Sequence, residues 1–159
     1  MKPRVYIETS VFSYLTARES SSLVGATRQL LTRRWWERRD DYELFVSEVV
    51  IRECKAGDSE AVDRRLNAVG EIPLLSLTDQ AAHIAQLLLT EGIMPSKAAE
   101  DALHIAIAAV HKVDFLLSWN FKHIANPVIQ AQIAARLSRL GLALPFICPP
   151  EELAGEDDE

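Results

Sequence analysis

The sequence predicts one α/β domain built on a mostly parallel sheet. Short apolar runs rich in β-branched and aromatic residues alternate with longer helical segments, which is the pattern of βαβ units. The chain has 159 residues, and 48% of them are hydrophobic, which suits a single domain with a sizeable core. We place this domain at residues 1–150 and expect residues 151–159 to be a disordered acidic tail.

Strands are predicted at four short apolar runs: Arg4–Glu8, Leu44–Ser47, Phe115–Ser118 and Leu144–Ile147. Helical periodicity predicts helices at Val11–Ala17, Leu23–Arg39, Val49–Ala56, Ser59–Val69, Thr78–Thr90, Lys97–His111 and Pro127–Leu140. Thr9 and Ser10 are good N-cap residues for the first helix. Glycines suited to a helix C-terminus follow four of the helices: Gly57, Gly70, Gly92 and Gly141. The segment around Leu74 and Leu75 fits either a short strand or a packed loop.

The formal charge of −6 comes from the carboxyl-terminal end of the chain. Six of the 23 acidic residues lie in the last nine positions, and without them 17 acidic residues balance 17 basic ones. The net charge therefore argues neither for nor against nucleic-acid binding.

Cysteine usage and hydropathy point to a reducing cytoplasm. Cys54 and Cys148 fit no metal or redox spacing, and the amino terminus lacks the apolar run of a secretory signal. Charged residues and histidines interrupt the longest apolar helical stretch, Ala98–Val113, so we expect no membrane insertion.

Four polar residues are predicted to meet at one edge of the sheet. Glu8 closes the first strand, and Asn120 follows the strand that ends near Ser118. Glu53 lies on the helix that starts after the second strand, and Asp101 lies near the start of its helix. Ligands of open parallel sheets bind beyond the carboxyl ends of the strands, where these residues lie.

Clustered carboxylates repel one another unless a cation or a proton sits between them. Oxygen-only ligands, with no cysteine or histidine set, favour a hard ion, Mg²⁺ or Mn²⁺, and such ions typically act on phosphate. The pattern therefore indicates hydrolysis of a phosphodiester.

Four segments carry a family resemblance: Tyr6–Val11, Val46–Ser47 leading six residues on to Glu53, Asp101–Ala106 and Leu116–Asn120. In order and spacing they resemble the four signature blocks of PIN domains. Within that superfamily the chain is similar to the VapC-type toxin ribonucleases of type II toxin-antitoxin systems. The resemblance covers about residues 3 to 150.

The resemblance implies a three-layer α/β/α sandwich and an endoribonuclease that depends on Mg²⁺ or Mn²⁺. It also implies a homodimer, an RNA substrate and a cognate antitoxin protein that occupies the site. By motif, Glu8 and Asp101 would be the main metal ligands. Glu53 would hold the ion or its water, and Asn120 would complete the catalytic set.

Two departures from the family pattern favour an alternative function. The first and last blocks normally carry Asp, where this chain has Glu8 and Asn120. We therefore expect one well-bound metal ion and a weak or absent second. The alternative is a catalytically weak or inactive PIN-like module that binds RNA or protein. A Mg²⁺ phosphatase ranks below both, because the first strand end lacks the paired Asp-x-Asp of such enzymes.

Each acidic candidate has a simpler interpretation. Glu8 could act only on the dipole of the following helix, and Glu53 could be an exposed helical acid. Glu48 and Glu100 compete with Glu53 and Asp101 for the site. Adjacent helical residues point about 100° apart, so only one of Glu100 and Asp101 can face a metal.

Three further residues are accessory candidates. His104 lies one turn after Asp101, where it could orient a carboxylate, touch a phosphate or pack in the core. Ser10 and Ser118 are interpreted as polar neighbours of the ligands, since the sequence places no histidine to activate them as nucleophiles. His111 and His123 have weaker claims.

Arginine and tryptophan cluster between Arg28 and Arg39. Such a cluster could hold RNA, anchor a protein partner, or form an amphipathic helix with buried Trp rings and solvated arginines. We expect Leu30, Leu31 and one of the two tryptophans to be buried in each case.

Overall fold

A single five-stranded parallel sheet forms the centre of the protein. The computed structural model describes residues 1–154. Within them the strands are β1 (Arg4–Ile7), β2 (Glu43–Ser47), β3 (Leu74–Leu75), β4 (Phe115–Leu117) and β5 (Phe146–Cys148). They pair in the order β3-β2-β1-β4-β5, and each pair is parallel.

Seven α-helices accompany the sheet in residues 1–154: α1 (Thr9–Thr16), α2 (Leu23–Glu37), α3 (Glu48–Cys54), α4 (Ser59–Val69), α5 (Asp79–Thr90), α6 (Ala99–Val110) and α7 (Pro127–Ser138). Helix α1 packs against α2 and α4, whereas α5 and α6 pack against each other. The predicted α/β architecture with a parallel sheet, as a three-layer sandwich, is confirmed. No helix in this part of the chain is long and apolar enough to cross a membrane.

The central strands are buried because helices cover both faces of the sheet. Val5, Tyr6 and Ile7 of β1 and Leu116 and Leu117 of β4 have no exposed surface. Helix α6 contributes a mostly alanine and isoleucine surface to the same core, as small side chains allow its backbone to approach its neighbours.

The direction in which strands are added reverses between β1 and β4. The chain starts at the middle strand, adds β2 and β3 on one side, and then crosses to add β4 and β5 on the other. The register sets Ile7 beside Leu117, so the loops that follow β1 and β4 leave the sheet side by side. Such a reversal creates a crevice at the carboxyl edge of a parallel sheet.

Most element boundaries differ from the prediction by one or two residues. Helix α1 begins at Thr9 because the side chain of Glu8, rather than Thr9 or Ser10, caps the helix. The last strand is Phe146–Cys148, two residues later at its start than predicted, because pairing with β4 aligns Phe146 with Phe115. The undecided segment at Leu74 and Leu75 is a strand.

The amino-terminal part of the predicted tail is folded. Pro150–Leu153 forms a short 3-10 helix, and Ala154 is buried. The hydroxyl of Tyr42 donates a hydrogen bond to the Leu153 carbonyl at 3.5 Å. The prediction of disorder is therefore wrong for residues 151–154, because Leu153 and Ala154 are apolar enough to join the core. The rest of the predicted tail lies outside the described residues.

The arginine and tryptophan cluster is an amphipathic helix in part. Trp35 is fully buried and Trp36 partly buried, as expected for one tryptophan in the core. Leu31 is half-buried, but the prediction that Leu30 is buried is wrong. Gln29 faces the core, and adjacent helical residues point about 100° apart. Leu30 therefore points away from the core and is 51% exposed.

We expect Leu117→Ala to lower the free energy of unfolding by about 3 kcal/mol, because it leaves a cavity beneath the carboxyl edge of the sheet. Urea denaturation followed by circular dichroism measures this loss. Val128→Ala on α7, where the side chain is 68% exposed, is the control and should change stability by less than about 0.5 kcal/mol. Equal effects of the two variants would contradict the burial of β4.

Candidate metal centre

Three side chains from distant parts of the chain meet at the crevice. Glu8 follows β1, Glu53 lies in the last turn of α3, and His104 lies in the middle of α6. One ligand atom from each lies within 4.8 Å of the others. The predicted meeting of Glu8 and Glu53 is therefore present, and the third member of the group is the accessory candidate His104.

Glu8 is a nearly buried carboxylate, with 5% of its surface exposed. Its Oε2 accepts a hydrogen bond from the Ser10 backbone at 2.9 Å, which caps α1. Its Oε1 accepts from the hydroxyls of Ser10 and Ser118, both at 2.6 Å. Three donors thus compensate the loss of hydration of this group.

The same two hydroxyls hold the neighbouring loop. Ser10 Oγ accepts from the Trp119 backbone at 2.8 Å, and Ser118 Oγ accepts from the Asn120 backbone at 2.9 Å. Each serine therefore donates to Glu8 and accepts from the loop after β4. Ser10 and Ser118 act as positioning groups in this arrangement.

A buried chain of hydrogen bonds runs behind Glu53. The Tyr6 hydroxyl lies 2.7 Å from His104 Nδ1 and 2.7 Å from Ser47 Oγ. His104 Nε2 donates to Glu53 Oε1, because a carboxylate can only accept. Thr9 Oγ1 donates to the same oxygen at 2.8 Å. Both ring nitrogens of His104 therefore have protein partners, which identifies it as a group that orients Glu53.

The charges of this group shift the pKa values of its members. Burial alone would raise the pKa of Glu53, but the hydrogen bond and positive charge of His104 lower it below its usual value. Burial disfavours a charged His104, yet the bond to Glu53 and the charges of Glu8, Glu53 and Asp101 raise its pKa. Burial raises the pKa of Tyr6 far above its ordinary value, so this hydroxyl stays neutral.

Asp101 lies one turn before His104 but outside the group of three. Its Oδ2 is 3.1 Å from His123 Nδ1, and both side chains are largely buried. The negative charge of Asp101 helps to raise the pKa of His104. Asp101 is therefore close enough to act electrostatically on the group of three. The structure thus gives His123 a specific partner that sequence analysis did not assign.

Asn120 is turned toward its own loop. Its Oδ1 accepts from the backbones of Lys122 at 3.2 Å and His123 at 3.0 Å. In this position the amide oxygen shapes the loop that carries His123 to Asp101. The rotamer described offers that oxygen to backbone donors and not to the crevice.

The competing acids lie away from the crevice. Glu48 is exposed in the first turn of α3. Glu100 pairs with Arg52 at 2.7 Å, where the side chains of both residues are about half exposed. The choice of Glu53 and Asp101 over their neighbours agrees with these positions. His111 bonds to the Ser76 carbonyl at 2.8 Å, on another part of the surface.

Three residues of this network were not predicted as site residues: Tyr6, Ser47 and Thr9. A tyrosine in the middle of an otherwise aliphatic strand was the available signal, since a buried phenol usually finds a hydrogen-bond partner. Thr9 was considered only as a cap, whereas its hydroxyl bonds to Glu53 across 44 positions of the chain.

The donor set fits a hard cation. Within residues 1–154, Glu53 Oε2 and Asp101 Oδ1 accept no hydrogen bond, while the other oxygen of each carboxylate is held by a histidine. Each acid thus has one oxygen fixed by the protein and one without a protein donor. Carboxylates oriented by histidine are typical of metal ligands with supporting partners.

No protein-family model matches the sequence. No curated protein matches it either.

We expect the stability of the metal-free protein to depend on pH through His104. Because the pKa of His104 is raised above 6.5, its contribution is complete below pH 6.5 and is lost as the pH rises through the raised value. Because the pKa of Glu53 is lowered below 4.5, its contribution is complete above pH 4.5 and is lost as the pH falls through the lowered value. His104→Gln should therefore cost most, about 2 kcal/mol, between these two limits.

Urea denaturation in EDTA across this pH range measures the difference between wild type and His104→Gln. His83→Gln, at an exposed position of α5, is the control and should change stability by less than about 0.5 kcal/mol. A difference that is constant with pH would contradict a charged Glu53–His104 pair.

Proposed function

We propose that this chain is a metal-dependent endoribonuclease of the PIN type, similar to the VapC toxins. The observation that carries the proposal is the meeting of Glu8, Glu53 and His104 at the carboxyl edge of the parallel sheet. Asp101 on the next turn of α6 adds a third carboxylate to the same region. The four motif segments that resemble PIN domains contain all three acids.

The chain's own residues would hold and orient the ion. Glu53 and Asp101 supply oxygens that have no donor among residues 1–154, and His104 and His123 fix the rotamers of these acids. Glu8 adds negative charge at the switch point of the sheet, where Ser10 and Ser118 hold it in place. When bound, Mg²⁺ or Mn²⁺ would neutralise the phosphate and activate water for hydrolysis of the phosphodiester bond.

The same proposal includes the properties that the resemblance implies. These are a homodimer, a cognate antitoxin protein that covers the crevice, and a cytoplasmic location. Size-exclusion chromatography with light scattering tests the first of them on the purified chain.

Asp101→Ala and Glu53→Gln should each weaken Mn²⁺ binding and lower RNA cleavage by more than about 100-fold, because each removes a carboxylate oriented toward the ion. Isothermal titration calorimetry measures the first effect, and cleavage of a fluorescent single-stranded RNA measures the second. Glu100→Ala and Glu48→Ala are matched controls, since each removes a neighbouring acid that lies outside the crevice. Both controls should retain binding and cleavage.

The proposal fails if the intact chain binds neither Mg²⁺ nor Mn²⁺ and cuts no RNA. It also fails if Glu100→Ala and Asp101→Ala have the same effect, because activity would then not depend on the crevice. Crystals soaked in Mn²⁺ add a direct readout, since anomalous density identifies the ligands and the number of ions.

A second candidate function is an RNA-binding or protein-binding module that has lost catalysis. The position of the Asn120 amide favours it, because its oxygen accepts from backbone groups of its own loop. At Glu8, both carboxylate oxygens likewise accept hydrogen bonds from serine donors. RNA cleavage by wild type that Asp101→Ala abolishes would exclude this alternative.

A further inference from the structure

Three aromatic rings surround the side chain of Arg28 on α2. The guanidinium carbon lies 5.7 Å from the ring centre of Tyr14, 5.4 Å from Trp119 and 5.3 Å from Phe121. Its Nη1 donates a hydrogen bond to the Tyr14 hydroxyl at 3.0 Å. We call these three rings and Arg28 the aromatic cage. Cation–π contact with several rings holds the half-buried guanidinium in one place.

The charge of Arg28 is not neutralised by an acid in the described part of the chain. Arg18, Arg52 and Arg136 each pair with a glutamate at 2.7 Å, whereas Arg28 has no carboxylate partner in residues 1–154. A guanidinium carries five donors, and the side chain of Arg28 uses one of its own on Tyr14. The remaining donors suit an anion with a planar pair of oxygens.

The aromatic cage is joined directly to the candidate metal centre. The Trp119 backbone donates to Ser10 Oγ, and that hydroxyl donates to Glu8 Oε1. One member of the cage is therefore two hydrogen bonds from the carboxylate that closes β1. A groove of about 350 Å³ continues from Tyr14 along α1, lined by Ser13, Ala17 and Arg18.

Phe121 presents an open aromatic surface beside this cation. Its side chain is 43% exposed, although its ring contacts Trp119 at 6.1 Å between centres. The exposed ring of Phe121 could stack on a base, and the neighbouring guanidinium of Arg28 could bind a phosphate. That combination is typical of proteins that bind single-stranded nucleic acid.

We propose that Arg28 and Phe121 form a subsite for single-stranded RNA beside the candidate metal centre. Arg28 contacts one backbone phosphate, and the ring of Phe121 stacks on a base of the same strand. This inference rests on the proposed ribonuclease function and adds the way in which the substrate strand is positioned. The aromatic cage could instead bind a partner protein. Arg28 has no carboxylate partner in residues 1–154, and this favours a phosphate of an RNA strand as its ligand.

The test measures binding of the 159-residue chain to a single-stranded oligoribonucleotide about ten nucleotides long. Fluorescence anisotropy in EDTA gives the dissociation constant without cleavage, at a series of salt concentrations. Arg28→Ala should weaken binding about tenfold and lower the slope of log affinity against log salt by about 0.7, as expected for one lost phosphate contact. A purely structural role of Arg28 would leave that slope unchanged.

Phe121→Ala should weaken binding about tenfold without altering the salt slope, because stacking involves no counterion release. An abasic strand of the same length separates the two contacts. On that strand Phe121→Ala should have no effect, while Arg28→Ala should keep its full effect.

Arg38→Ala is the matched control, since it removes the same charge from an exposed residue at the other end of α2. It lies about 15 Å from Arg28 along the helix axis and should leave affinity and slope close to wild type. Equal losses in Arg38→Ala and Arg28→Ala would overturn the subsite in favour of a diffuse electrostatic effect.

Far-ultraviolet circular dichroism shows whether Arg28→Ala is folded. If it is not, Arg28→Lys serves as the second variant. The lysine keeps the charge and should keep the salt slope, while its point charge replaces the planar fork and weakens binding severalfold. Wild-type affinity in both Arg28 variants overturns the inference even if RNA cleavage is intact. If the wild-type chain neither binds nor cuts RNA, the proposed function fails together with it.

Discussion

The buried carboxylate of Glu8 is the constraint on which the rest of the site depends. A charge with 5% exposure must find donors inside the protein, and Ser10 and Ser118 supply them. Ser10 lies in the first turn of α1, next to Glu8, whereas Ser118 follows β4 and reaches Glu8 only when β1 and β4 lie side by side and parallel. The same serines accept from Trp119 and from the loop beyond it, so the crevice and the aromatic cage share one support.

The fold could be predicted closely because its signals are local. Helix α4 has the predicted bounds, since Asp58 caps it and a glycine ends it. Where pairing between strands sets an element, the sequence was less informative. Strand β5 starts two residues later than predicted, because Phe146 pairs with Phe115. The two-residue strand at Leu74 depends on its pairing with Val46. Neither pairing could be predicted from the composition or the periodicity of the sequence.

The acids of the site could be placed from the ends of strands and the first turns of helices, but their partners could not. The phenol of Tyr6 reaches His104 across 98 positions and Ser47 across 41, and no spacing rule links these residues. His123 had only a weak claim from the sequence, yet the turn made by Asn120 brings it to Asp101. The cage around Arg28 depends on α1, α2 and the loop after β4 meeting in space, which the basic composition of α2 alone does not indicate.

The order of the strands has a consequence during protein synthesis. Glu8 is made early, but the serine that completes its donor set lies 110 positions later, behind the crossing to β4. A nascent chain therefore exposes the Glu8 carboxylate to water until Ser118 has left the ribosome. Long-range pairing of this kind also folds slowly, so the crevice is assembled among the last parts of the molecule. The donor set of Glu8 is therefore completed only after the segment that forms β4 has been made and has paired with β1.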